Sequence, residues 1–87
     1  MSYFVYVIRS INSSKQFTYV GYTNNLKKRL SLHNKGLGAK FTRGRRWKII
    51  YTEKFDTKNE ALSREYYIKK NRKFRNLLKN KKWKKKE

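Results

Sequence analysis

Few side chains in this chain could do chemistry, and their spacing is informative. Glu65 falls four residues after Ala61 and three before Ile68, on the apolar face of a helix expected over about 58–70. A charged carboxylate is expensive in such a place unless it is paired or coordinated. Taken alone, it is better explained as an edge glutamate that bonds an arginine or a tyrosine hydroxyl than as a metal ligand. Arg29 and His33 stand at i and i+4 beside Leu26 and Leu30. Alone, they fit a solvated arginine next to a half-buried core histidine. Tyr6 and Tyr19 fall in β-branched and aromatic runs, where strand packing with the hydroxyl at the rim accounts for them. As chemistry, a carboxylate can hold a hard cation, an arginine fork matches a phosphate, and a phenol or imidazole can move a proton.

Composition narrows the setting for these groups. The 87 residues allow one small domain with a thin core. The absence of cysteine excludes disulfides, zinc–thiolate sites and a cysteine nucleophile. A single histidine excludes a multi-histidine metal site. The acids are Glu53, Asp56, Glu60, Glu65 and Glu87, too few for most carboxylate clusters. Against 25 Lys and Arg they leave a net charge of +20, and a pI near 10.6 is the electrostatic footprint of a nucleic-acid binder. An anionic membrane is the weaker partner, because the basic C-terminal stretch lacks a broad apolar face. No apolar run is long enough to span a bilayer, and no protein partner is indicated. No secretory pattern opens the sequence, so a cytoplasmic, nucleoid-associated protein is expected. An aromatic content of 16% argues for packed structure over disorder.

The elements that must position the candidate residues follow from pattern. YFVYVIR (3–9) reads as a strand buried on both faces, and FTYVG (17–21) as a second strand in an antiparallel hairpin with it. Asn24 or Asn25 caps a helix carrying Leu26, Leu30 and His33, which ends near Gly36. A loop rich in Gly and Arg covers 34–46, and WKIIYTEKF (47–55) is a third strand. Thr57 and Glu60 form a capping box for the helix over 58–70, and a last short helix has Phe74, Leu77 and Leu78 as its apolar stripe. The expected order is β-β-α-β-α-α, an α+β domain with a small three-stranded antiparallel sheet flanked by helices, over residues 1–80. Residues 81–87 read as a basic tail, disordered when unbound.

In this frame Val5-Tyr6, Tyr19-Val20-Gly21 and Arg29 are followed by GAKFTRGRRW (38–47), a strand and EALSRE (60–65). The chain resembles the GIY-YIG endonuclease superfamily over roughly residues 3–70, especially its small stand-alone bacterial members. It is similar to the nuclease domain of structure-specific junction endonucleases. The excision-repair incision nuclease shares YVG-x-x-x-N-L-K-K-R, here Tyr19 to Arg29. The resemblance makes Tyr6, Tyr19, Arg29, His33 and Glu65 catalytic, with Glu65 the single metal ligand and His33 near the scissile phosphate. Phe4 stands where the family name has glycine, and Tyr22 replaces a lysine of the repair nuclease. An asparagine that some relatives carry beyond the glutamate has no match, because Asn71 and Asn76 are off register.

The resemblance implies a metal-dependent endonuclease that hydrolyses DNA phosphodiester bonds, structure-directed and related to repair or recombination. Its cofactor would be one Mg2+ or Mn2+, which keeps much of its water shell and acts as Lewis acid. A tyrosine acts as base only if nearby cations depress its pKa, which the density of Arg and Lys allows. Tyr6, Tyr19 and His33 are all candidates for that proton. Lys27, Lys28, Lys40, Arg43, Arg45, Arg46, Lys69 and Lys70 are expected on the nucleic acid, with Phe41 or Trp47 stacking on an exposed base. Branched or otherwise structured DNA is the expected substrate, with RNA as another possible partner. The alternative is a non-catalytic or weakly active member of the same fold that binds DNA or RNA.

Overall fold

The computed structural model describes residues 2–11 and 14–80. The tail expected over 81–87 lies outside the described residues. The first strand, β1 (Tyr3–Ile11), is the centre of a three-stranded antiparallel sheet of order β2-β1-β3. Its partners are β2 (Thr18–Thr23) and β3 (Arg46–Phe55). Val5, Tyr6, Val7 and Ile8 are all buried, as a strand covered on both faces requires. Alternation sends Val5 and Val7 to one core with Val20, Ile50, Ala61, Ile68 and Leu78. It sends Tyr6 and Ile8 to a second core with Trp47, packed by Leu26 and Leu30. Each fully buried aliphatic side chain contributes about 1.5–3 kcal/mol, so both faces matter to a domain this small.

A bulge in β3 decides which of its side chains serves which core. Val7 lies opposite Tyr51, but the next residue, Ile8, lies opposite Ile49, which leaves Ile50 as the extra residue. Trp47 and Ile49 therefore join Tyr6 and Ile8, while Tyr51 and Phe55 pack with Val5 and Val7. A regular strand would have placed all four on one face.

The helices are set by their caps. Helix α1 (Leu26–Asn34) starts at Asn25, whose side chain accepts the Lys28 N–H at 3.1 Å. It is followed by Gly36 at φ +78°, a left-handed conformation that favours glycine. Helix α2 (Lys58–Lys70) carries the full Thr57–Glu60 capping box and lies on the face of Val5 and Val7. Asn71 breaks the path, and its side chain accepts the Phe74 N–H at 3.0 Å at the start of α3 (Arg72–Asn80). Phe74 and Leu78, four apart, pack on the core, but Leu77 does not belong to the expected stripe and is 65% exposed. It sits on the neighbouring side of the helix, away from the sheet. Among the described residues no helix is long and apolar enough to cross a membrane.

Candidate active site

Two glycines make room for the two rings at the centre of the site. Gly21 lies directly across the β1–β2 pair from Tyr6. A Cβ at position 21 would collide with the Tyr6 hydroxyl and fall 2.6 Å from ring carbon Cζ, so only glycine lets this ring lie over β2. Gly38 stands in the same relation to His33, where a Cβ would come within 2.8 Å of Cγ and Cε1. Gly38 thus presses the loop before the short 3-10 turn (Lys40–Thr42) onto the histidine of α1.

The rings are joined by a directed chain of hydrogen bonds. Thr42 Oγ1 donates to the Ala39 carbonyl at 2.9 Å, so the same oxygen accepts from His33 Nδ1, also at 2.9 Å. With its proton on Nδ1, His33 presents a lone pair at Nε2, and the Tyr6 hydroxyl donates to it at 2.7 Å. The Tyr6 oxygen in turn accepts from Arg29 Nε at 3.4 Å. The order is Arg29 to Tyr6 to His33 to Thr42 to backbone. Both His33 and Thr42 are completely buried, and Tyr6 is 2% exposed.

Electrostatics keep both rings neutral. Burial pushes the Tyr6 phenol above its usual pKa; Arg29 opposes this, while the nearby Tyr19 and Glu65 reinforce it. The expected cation-depressed tyrosine is therefore not Tyr6, because the loss of solvent outweighs one guanidinium. Burial, and then the charge of Arg29, lower His33 below the usual imidazole value. A neutral imidazole is the form that can accept the phenol's proton.

Tyr19 stands beside this chain, its ring edge-on to His33 with centroids 5.1 Å apart and stacked on Phe41 at 6.3 Å. Glu65 reaches the Tyr6 hydroxyl's field from α2, the helix of the opposite face. Among the described residues neither an arginine nor a tyrosine hydroxyl bonds it. Its partner among the described residues is Lys69, at 3.4 Å, with the carboxylate side chain 15% exposed. Glu53 is differently placed: burial would raise its pKa, but hydrogen bonds from Arg64 (2.8 and 2.9 Å) and Tyr51 hold it below the usual range. Glu65 is thus the weakly held carboxylate and Glu53 the committed one. No group of three or more His, Cys, Asp or Glu gathers among the described residues. A cation here would rest on one carboxylate, water and substrate oxygens, a donor set that suits Mg2+.

The other expected residues divide. Lys27, Lys28, Lys40, Arg43, Arg46, Lys69 and Lys70 are exposed. Arg45 is partly engaged: it donates to the Phe41 carbonyl at 2.9 Å and lies 4.2 Å from the centre of the Phe17 ring. Of the two aromatic candidates for stacking, Trp47 is excluded. It is 2% exposed, and its indole N–H donates to the Thr42 carbonyl at 2.9 Å. Phe41 stays available at 47% exposure. Of the two asparagines considered for the missing one of the relatives, Asn71 caps α3, and Asn76 lines a cleft between α3 and Phe41. Thr42 and Gly38 lie within GAKFTRGRRW, a run that carries the resemblance, but neither is among the residues expected in the site.

A family model of the GIY-YIG catalytic domain matches residues 2–85. A UPF0213 protein of Clostridium perfringens (strain 13 / Type A) is 53% identical over 68 residues, 77% of this chain and 70% of that one. A UPF0213 protein of Oceanobacillus iheyensis is 45% identical over 76 residues, 86% of this chain and 85% of that one. Among solved structures, the NMR structure of a UPF0213 protein from Bacillus halodurans matches with a TM-score of 0.52 and 34% identity, covering 95% of this chain and 87% of that one.

Proposed function

The chain belongs to the GIY-YIG catalytic domain family, a nuclease family, and from that premise we propose a metal-dependent endonuclease that hydrolyses DNA phosphodiester bonds. The observation that carries this reading is the Arg29–Tyr6–His33–Thr42 chain beside Tyr19 and Glu65. The Tyr6 oxygen has its proton directed at His33 Nε2. It can take a proton from an attacking water while passing its own to the imidazole, so neither ring need begin as an ion. Arg29 uses Nε on Tyr6, which leaves its terminal nitrogens to face phosphate and offset charge as it grows in the transition state. Tyr19, next to His33 and less buried than Tyr6, is placed to orient the water.

Glu65 would hold the divalent ion, Mg2+ or Mn2+. When bound, such an ion supplies Lewis-acid stabilisation of the leaving oxygen. Lys69 can leave its loose pair with Glu65 when a cation or a phosphate arrives. The exposed cations of α1, the loop and α2 would hold the DNA backbone, and phosphate contacts carry no sequence information, which favours structured DNA in repair or recombination. The setting of that work would be the cytoplasm, at the nucleoid. The test is incubation with labelled duplex, flap, junction and single-stranded DNA with Mg2+, Mn2+ or EDTA. Cleavage with the metals and none with EDTA supports the reading. Tight binding without cleavage would favour a non-catalytic member that binds DNA or RNA.

A further inference from the structure

We propose that the cleft between α3 and Phe41 binds an unpaired stretch of DNA next to the cutting site, which makes single-stranded segments the feature that this protein recognises. The inference rests on the reading as a DNA nuclease and adds the substrate class. The cleft has a volume of about 570 Å3 and lies at the start of the edge strand β2, at Gln16–Thr18. One wall is α3, where Arg72, Arg75, Asn76 and Lys79 stand at i, i+3, i+4 and i+7 and so share a stripe. The other wall is aromatic, formed by Phe17 and Phe41. Among the described residues no acidic side chain lines it.

The two walls ask for different parts of one ligand. The cations fit phosphates. Arg75 donates to the Lys69 carbonyl at 3.0 Å, while its buried Nε has no hydrogen-bond partner among the described residues. The outer face of the guanidinium, at the cleft wall, is the part that a phosphate can meet. Lys79 donates to the Gln16 carbonyl at 3.3 Å and so joins α3 to the segment just before β2. Phe41, 47% exposed, offers a ring to a base. In a duplex each base is already stacked on both sides, so an aromatic platform gains a partner only where the stack is broken. Phe41 also stacks on Tyr19, with ring planes 20° apart. A base on Phe41 would therefore lie next to the reacting phosphate.

Binding of the full chain in EDTA separates this claim from catalysis. The probes are labelled oligothymidine, a blunt duplex, and that duplex with a single-stranded overhang, compared by fluorescence anisotropy at fixed salt. Phe41→Ala is expected to weaken oligothymidine and overhang binding by about tenfold or more, with blunt duplex changed by about twofold at most. Arg72→Gln, at an exposed position, is expected to show the same selectivity and to reduce the salt slope on oligothymidine by about 0.7. Equal losses on all three probes, or no loss on any, would overturn the proposal. A wild-type protein that cuts nothing with Mg2+ or Mn2+ would sink the nuclease reading and leave this binding comparison standing.

Discussion

The Tyr6 hydroxyl donates its proton to His33 Nε2 across 2.7 Å, inside a region where neither ring meets appreciable solvent. The pair links β1 to α1, so the same bond serves folding and chemistry. Tyr6→Phe keeps the ring and leaves Nε2 a buried acceptor without a donor. A stability loss of about 1–3 kcal/mol is expected, together with a cleavage rate lower by roughly 10²–10⁴. Tyr19→Phe should lower the rate without that stability loss, because no hydrogen bond among the described residues ties down its hydroxyl. DNA affinity should hold in both. Thermal melting, anisotropy and single-turnover cleavage on the two variants check the pattern; two variants that cut at the wild-type rate would return both tyrosines to packing.

Thr42 is predicted to act through His33. Thr42→Val retains shape but removes the acceptor for Nδ1–H, so the imidazole loses the contact that fixes its tautomer. The cleavage rate should fall by an amount comparable to Tyr6→Phe, while Thr42→Ser restores most of it. A purely structural threonine would show a melting change with the rate per folded molecule unaltered. The His33 ring nitrogen shifts in NMR, read for each variant, report the tautomer directly.

Much of this site was legible in the sequence, and the exceptions share a cause. Tyr6, Tyr19, Arg29, His33 and Glu65 lie in elements whose period or caps are written plainly, and the resemblance spans those elements in order. Thr42 and Gly38 lie in a loop, where position depends on tertiary contact and no period marks them. Trp47 stayed ambiguous for a related reason. The adjacent Ile49 and Ile50 fit a strand buried on either face, so the bulge that turns Trp47 into the Tyr6 core leaves no trace in the alternation. Leu77 shows the opposite fault, an apolar residue credited to a helix stripe that only Phe74 and Leu78 complete.

His33 should make stability depend on pH. Its folded-state pKa is held below the ordinary imidazole value of about 6.5 by burial and by Arg29. As pH falls through about 6.5 the unfolded chain takes up a proton that the folded chain refuses, so unfolding is favoured. Stability is therefore full above that value and declines below it, by at most about 1.4 kcal/mol per pH unit, until the folded pKa is reached. Cleavage should decline at still lower pH, where Nε2 of the folded protein becomes protonated and can no longer accept from Tyr6. Denaturant titrations from pH 7.5 to about 5 check the first part. A His33→Gln variant should show a flatter profile, and an equally steep one would assign the dependence to another group.

Glu65→Gln tests the metal. The substitution keeps size and hydrogen-bonding capacity but removes the charge that a divalent cation needs. Glu65 is the suitable target because Glu53, the other carboxylate near the sheet, is already held by Arg64 and Tyr51. Loss of the charge also frees Lys69, whose pair with Glu65 spans 3.4 Å and is about half exposed on the lysine side. Such a pair contributes little, about 0–1 kcal/mol, so the melting temperature should barely move. DNA binding in EDTA should stay equal or tighten, since one negative charge facing the phosphates is gone. Cleavage in Mg2+ or Mn2+ should be abolished. The decisive measurement is metal titration by calorimetry with the protein alone and with bound DNA: wild type should show one DNA-dependent site, and Glu65→Gln none. A variant that keeps the site and cuts at the wild-type rate would remove Glu65 from the mechanism, and with it the requirement that a metal sit beside Tyr6.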